Sequence, residues 1–207
     1  MSPPSSKAEL RRALLAARRA RTGEQRRADA AALAADLPAV LEGLEIGPDE
    51  PVCLFVAVGG EPGATPDGAL PVLDAARATG RRVLLPVTVG AAPLDWAPYD
   101  GPGSLVPGPH GLLEPAGRRL GPDALAGAGL VVVPALAVDH RGVRLGRGGG
   151  HYDRSLPLAG PATRLVALVG DDGLRAEPLP AEPHDVPVHA AWRPRTGLTP
   201  LPLPPDH

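Results

Sequence analysis

Four runs of consecutive apolar residues constrain this chain more than any other feature: "PVCLFVAV" (51–58), "RRVLLPV" (81–87), "GLVVVPALAV" (129–138) and "TRLVALVG" (163–170). Each is short, rich in Val and Leu, and continuous rather than alternating. Strands buried on both faces read this way, and such strands belong to parallel sheets covered by helices. Between the first two runs, Thr65-Pro66 has the form of a helix cap followed by a first-turn proline. "DGALPVLDAARATG" continues that helix with a bend at Pro71, and Gly80 closes it. Residues 51–87 therefore predict a β-α-β unit, whose crossover is right-handed. "VPVHAAW" (186–192) supplies a fifth strand. The alternation predicts a three-layer α/β/α fold with a mostly parallel, Rossmann-like central sheet and ligands at the carboxyl ends of its strands.

An N-terminal helical pair precedes the sheet. Ser6 and Glu9 have capping-box spacing, so a helix starts at Lys7 and runs to about Arg21. Leu10, Leu14 and Ala17 recur on its core face. Thr22 and Gln25 repeat the box, and a second helix follows through about Leu37. Lys7 and Arg11 lie four apart on one face; on these residues alone that face reads as solvated and basic. The stretch 88–118 predicts mostly loop, and loops of that length inside a domain are often functional. The prolines of "TPLPLPPDH" predict a disordered or extended tail, so that residues 1–5 and about 194–207 are expected to be flexible around a single domain spanning 1–207.

A chain of 207 residues suits one such domain. Its net charge of −2 gives no bulk attraction to nucleic acid or acidic membrane. No apolar run approaches the roughly 20 residues of a membrane span, and "MSPPSSKAELRR" lacks the apolar core of a signal peptide. The expectation is a cytoplasmic monomer acting on small molecules, without nucleic-acid or membrane partners. The single cysteine, Cys53, sits in an apolar run and reads as a small buried hydrophobe. Phe55, Trp96, Tyr99, Tyr152 and Trp192 are all the aromatic residues there are, so a flat ligand has few faces to stack on.

The stretch "RLGRGGGHYDRSL" (144–156) follows a predicted strand and opens a predicted helix beginning near Gly150 or His151 and ending before Gly160. Glycines let backbone N–H groups approach an anion closely, and a helix N-terminus favours phosphate. Arg144, Arg147 and Arg154 can add charge-assisted hydrogen bonds, and Asp153 can hold a Mg²⁺ ion that bridges phosphate oxygens. The spacing is not that of a P-loop, and GxGxxG fails because His151 occupies the sixth position from Gly146. Glu61 in "VGGEPGAT" follows the first strand at a ligand-binding end. Asp185 in "EPHDVPV" is a candidate second metal ligand or a turn residue. Asp139-His140 reads as a turn. The histidines show no zinc spacing, and no nucleophile elbow is present.

Four stretches taken in order resemble the 5-formyltetrahydrofolate cyclo-ligases, also called methenyltetrahydrofolate synthetases. "VPALAVDHRGVRLGRGGGHYDR" resembles that family's D-x-x-G-x-R-L-G-x-G-x-G-[YH]-Y-D-R. "LPAEPHDVPV", "LVPGPHGLLEP" and "KAELRR" resemble its E-x-H-D-x-x-V, P-G-x-x-G-[IL]-x-E-P and K-x-x-L-R elements. The similarity extends from residue 7 to about 192. It implies ATP-dependent closure of 5-formyltetrahydrofolate to 5,10-methenyltetrahydrofolate through a phosphorylated formyl group, with Mg²⁺ as cofactor. It also implies roles residue by residue. Lys7, Arg11 and the segment Arg144, Leu145, Gly146, Arg147, Gly148, Gly149, Gly150, His151 and Tyr152 would hold ATP. Glu61, Phe55, Gly148 and Tyr152 would bind the folate, Arg147 and Tyr152 would serve the chemistry, and Asp153 and Asp185 would ligate Mg²⁺.

Three positions depart from the family pattern. The Glu61 loop is one residue longer than E-x-x-T, His151 replaces a common Tyr, and His189 stands where many members have Asp. The alternatives to the cyclo-ligase are a binding relative that holds folate or nucleotide without turnover, and another phosphate-handling enzyme on a similar scaffold, such as a sugar-phosphate isomerase.

Overall fold

A computed structural model describes residues 6–182 and 185–203, apart from the side chain of His110. Helix α1 (Lys7–Arg19) starts where Ser6 Oγ accepts from the Glu9 N–H, and α2 (Gly23–Gly43) carries the full capping box of Thr22 and Gln25. The sequence predicts that α2 runs through about Leu37. The helix instead passes through Pro38, since Val40 and Leu41 beyond it are buried in the core and hold the last turns in place.

Strand β1 (Val52–Cys53) is far shorter than the apolar run containing it. Leu54 donates one more ladder bond, to Leu84 O, and the chain then leaves the sheet. No helix starts at Thr65-Pro66. Positive φ at Gly63 and Gly68 breaks that segment into turns, and α3 (Pro71–Ala78) begins at Pro71, which is its first residue and not a bend. Next come β2 (Val83–Val87) and its antiparallel partner β3 (Asp95–Pro98), then the hairpin β4 (Leu105–Pro107) and β5 (Leu113–Pro115). The stretch read as loop thus contains three strands, each too short to show a period.

The third apolar run is split. Strand β6 (Leu130–Pro134) stays in the central sheet, whereas β7 (Ala137–Asp139) joins a small sheet with β8 (Arg144–Leu145) and β10 (Leu174–Arg175). Pro134, with no N–H to donate, ends the first half. Helix α4 (His151–Ser155) is one short turn extended by a 3₁₀ turn over Leu156–Leu158, and β9 (Arg164–Leu168) follows. Strand β11 (Ala190–Arg193) pairs antiparallel with β12 (Gly197–Pro200). This corrects the expected flexible tail: residues 197–200 are extended but form an edge strand. The other parts of that expectation, residues 1–5 and 204–207, lie outside the described residues.

The central sheet runs β12-β11-β9-β6-β1-β2-β3, with its five inner strands parallel and both edges antiparallel. Its strands alternate in the faces they cover. Leu130, Val132, Val166 and Trp192 pack with α2 and α3, whereas Val131, Val133, Ala167 and Ala191 pack with Trp96, Leu125 and Leu156 on the other side. This is the double burial that the unbroken apolar runs implied. The Trp192 indole N–H donates to Asp36 on α2 at 2.8 Å and pins sheet to helix.

Leu33 on α2 is fully buried in the first of these layers. Leu33→Ala is expected to cost about 2–5 kcal/mol in a urea titration. Val106→Ala, at a residue 44% exposed on β4, should change stability by no more than about 0.5 kcal/mol.

Candidate active site

An open cavity of about 230 Å³ lies at the carboxyl ends of the parallel strands. Phe55, Val56 and Val58 enter it beyond β1, Pro86 and Thr88 at the end of β2, and Pro134 to Leu136 at the end of β6. The glycine-rich segment and α4 form its other wall. Lys7, Leu145 and Asp185 do not line it. Phe55, Glu61, Arg144, Gly146, Arg147, Gly148, Gly149, Gly150, His151, Tyr152 and Asp153 all do.

The glycine segment is delivered by a hairpin built on one buried carboxylate. Asp139 is 0% exposed. It accepts from the backbone N–H groups of Arg141, Val143 and Leu179 and from the Arg141 guanidinium. Gly142 turns the chain at φ +85, where a Cβ would lie 2.4 Å from Val188 O, so no larger residue fits. Beyond β8, Gly148 and Gly150 take φ of +103 and +69, which lets the backbone fold back around the cavity before α4 begins. Since α4 has only five residues, its dipole is small, and positive charge here comes chiefly from arginine side chains.

Those arginines are held differently. Arg144 is almost wholly buried and donates twice to Asp153 Oδ1, at 2.8 and 2.5 Å. Arg147 is half-exposed and lies 3.6 Å from Glu61 Oε1. Arg154 turns away from the cavity to Gly149 O and the His151 ring. Arg11 on α1 donates to Gly146 O at 3.0 Å and so reaches the glycine segment from outside. Lys7 pairs with Glu182 at 3.6 Å, and the Glu182 N–H donates to Asp185 Oδ2. Lys7 and Asp185 are thus brought together through Glu182, not at the cavity wall. His189 accepts from the Leu165 N–H between β9 and β11, also away from the cavity. Trp96 is fully buried in the core and offers no face to a ligand, which leaves Phe55 and Tyr152 as the cavity's aromatic surfaces.

Two titratable groups stand out. Burial pushes the Glu61 carboxyl above the ordinary range, opposed by the Val58 N–H at 2.9 Å and by Arg147 and Arg18. Burial, with Glu61 nearby, also pushes the Tyr152 phenol up, so it remains an O–H donor at neutral pH. That hydroxyl is enclosed and has no hydrogen-bond partner among the described residues. A buried polar group without a partner is costly, and this one belongs to a cavity-lining residue.

Sequence reasoning missed Arg18 and Glu114, both of which line the cavity. The Arg18 guanidinium bonds Ala135 O beyond β6. Its signal was present, since Arg18 lies two helical turns beyond Arg11. Glu114 closes the "LVPGPHGLLEP" motif, but nothing in the spacing says that its carboxylate turns inward.

The family model described as "5-formyltetrahydrofolate cyclo-ligase family" matches residues 3–194. This chain belongs to that family. A 5-formyltetrahydrofolate cyclo-ligase of Mycolicibacterium smegmatis is 42% identical over 203 residues, covering 96% of this chain and 98% of the relative. Among solved structures, the 5,10-methenyltetrahydrofolate synthetase of Aquifex aeolicus is 25% identical, with a TM-score of 0.74 over 97% of this chain and 95% of its own. The Mycoplasma pneumoniae synthetase, at 16% identity and a TM-score of 0.67, covers 90% of this chain and 97% of its own, and shares the fold. The chain is accordingly an enzyme of the cyclo-ligase class. No helix among the described residues is long and apolar enough to cross a membrane.

A glutamate whose folded pKa is raised contributes stability that fades as pH rises above the ordinary glutamate value of 4.5. Folding stability measured from pH 4 upward should therefore fall less steeply in Glu61→Gln than in the parent. An unchanged slope would mean that the carboxylate carries no burial penalty.

Proposed function

We propose that this chain closes 5-formyltetrahydrofolate to 5,10-methenyltetrahydrofolate at the expense of ATP, releasing ADP and phosphate. The observation that carries this reading is the meeting, in one cavity, of a glycine-arginine segment, a buried glutamate and an unpartnered phenol, in a member of this family. The formyl oxygen attacks the γ-phosphorus of ATP and ADP leaves. N10 of the folate then attacks the activated carbon, and the phosphate departs with the former formyl oxygen. Phosphoryl transfer needs positioning and charge neutralisation more than a protein nucleophile. That fits a site without a serine or cysteine nucleophile among its lining residues.

The 146–150 amides and Arg147 neutralise the transferring phosphoryl group, and Arg11 holds the segment in place from α1. Lys7 joins Arg11 on the nucleotide side. The Tyr152 O–H donates a hydrogen bond at the reacting formyl end, and Phe55 and Glu61 hold the folate. Mg²⁺, when bound, would supply further neutralisation of phosphate charge. Asp153 fits it: both bonds from Arg144 fall on Oδ1, no described residue donates to Oδ2, and Mg²⁺ commonly takes one or two carboxylates beside phosphates and water. Asp185 is the second candidate ligand. The enzyme acts in the cytoplasm as a monomer on these small molecules, without nucleic-acid or membrane partners.

The decisive assay follows the near-ultraviolet absorbance of the methenyl product. It should appear only with 5-formyltetrahydrofolate, ATP and Mg²⁺ together, and chelation should abolish it. A folded protein that gives no product, or one indifferent to ATP, would overturn the reading. Arg147→Ala should raise the KM for ATP about tenfold or more with little change in Tm, because the side chain is half-exposed. Asp153→Asn should shift the Mg²⁺ titration to higher concentration. Unaltered ATP and Mg²⁺ dependences would remove these residues from the nucleotide and the metal.

A further inference from the structure

Resting on the folate reading above, we propose that Glu114 recognises the ring end of the substrate, its carboxylate accepting the adjacent N–H groups of the 2-amino-4-oxopyrimidine edge. Glu114 stands on β5, in the hairpin that covers one side of the cavity, and only 7% of it is exposed. Its Oε1 accepts from the Thr88 N–H at 2.8 Å. Among the described residues no lysine or arginine pairs with it, and no second group donates to it. A carboxylate has about four acceptor sites, and a buried charge with a single neutral donor is far from compensated. Every other buried carboxylate in the described protein is better placed: Asp139 has five donated hydrogen bonds, Glu61 faces Arg147, and Asp29 is bonded to Arg21.

The group is also held in place. A Cβ on Gly108 would lie 2.6 Å from Glu114 Cδ, so the turn between β4 and β5 presses its bare backbone against the carboxyl group. A tie to Thr88 alone would be served as well by a neutral side chain. Pro86, Leu94, Leu112 and Leu113 give the same cavity an apolar lining, and Leu113 adjoins Glu114 on β5. The cavity's guanidinium groups are engaged elsewhere: Arg147 with Glu61, Arg144 with Asp153 and Arg18 with Ala135 O. An acceptor-only group in a cavity lined largely by apolar side chains selects a ligand with N–H donors on its edge. N3–H and the 2-amino group of the reduced pterin are adjacent and point the same way, which suits a two-oxygen acceptor. This would orient the formyl end toward Tyr152 and the glycine segment.

The test uses the parent chain, Glu114→Gln and Glu114→Ala, with calorimetry of two ligands: 5-formyltetrahydrofolate, and its analogue with methyl in place of the 2-amino group. Binding of a non-hydrolysable ATP analogue to the same samples reports whether each variant is folded. The glutamine keeps an acceptor for Thr88, so it guards against a fold defect in the alanine variant. The parent should bind the analogue about 10- to 100-fold more weakly than the natural ligand. Both variants should bind the natural ligand more weakly by a similar factor, discriminate between the two ligands by less than about threefold, and hold the nucleotide as the parent does. Variants that keep the parent's discrimination would overturn the assignment and leave Glu114 a structural tie. A parent chain that binds no 5-formyltetrahydrofolate would overturn the folate reading, and this assignment with it.

Discussion

The Asp139 carboxylate lies wholly inside the protein, where an uncompensated charge would cost several kcal/mol. Three backbone N–H groups and the Arg141 guanidinium satisfy it. Because two of those amides belong to the hairpin and one to Leu179, the charge can be met in only one arrangement of these segments. That arrangement sets where β8 ends and therefore where the glycine segment begins. Leu10 and Leu14 of α1 pack on the apolar cluster beneath the same hairpin, with Leu145 and Leu179 at its centre. Arg11 is thereby carried to Gly146, so α1 is part of the site's frame.

Within that frame the cavity is lined by both cationic and anionic side chains. The guanidinium groups are held by protein partners: Arg144 by Asp153, Arg147 by Glu61, and Arg18 by Ala135 O. Burial weakens the Glu61 carboxylate and the Arg18 cation alike, and each offsets part of the other's loss. Glu114, on the same cavity's lining, is met by the Thr88 N–H alone among the described residues. Charges removed from water interact far more strongly than in it, so lining groups of opposite chemistry are suited to orienting a ligand.

Much of this was legible where the determining contacts are local. The caps at Ser6 and Thr22 are four-residue patterns, and both helices begin where those patterns place them. The parallel strands follow from runs that are apolar on both faces. Legibility failed where distant contacts decide. Pro38 stays helical because Val40 and Leu41 are buried, and Thr65-Pro66 stays out of a helix because glycine turns occupy its neighbourhood. The split at Pro134 separates β6 from β7, which no periodicity reveals. In the site, the glycine-arginine segment was visible because its residues are consecutive. Arg18 and Glu114 were not, since each enters the cavity from an element whose orientation is set by packing. Asp139 read as a turn residue, which it is; its five bonds come from residues up to 40 positions away.

The central claim is that the backbone amides of 146–150 and the Arg147 guanidinium receive the terminal phosphates of a nucleotide. A crystal structure with ADP and Mg²⁺ tests it most directly. The account places the β-phosphate against that segment, with the metal on Asp153. A β-phosphate bound elsewhere, with the segment empty and Arg147 still on Glu61, would contradict it.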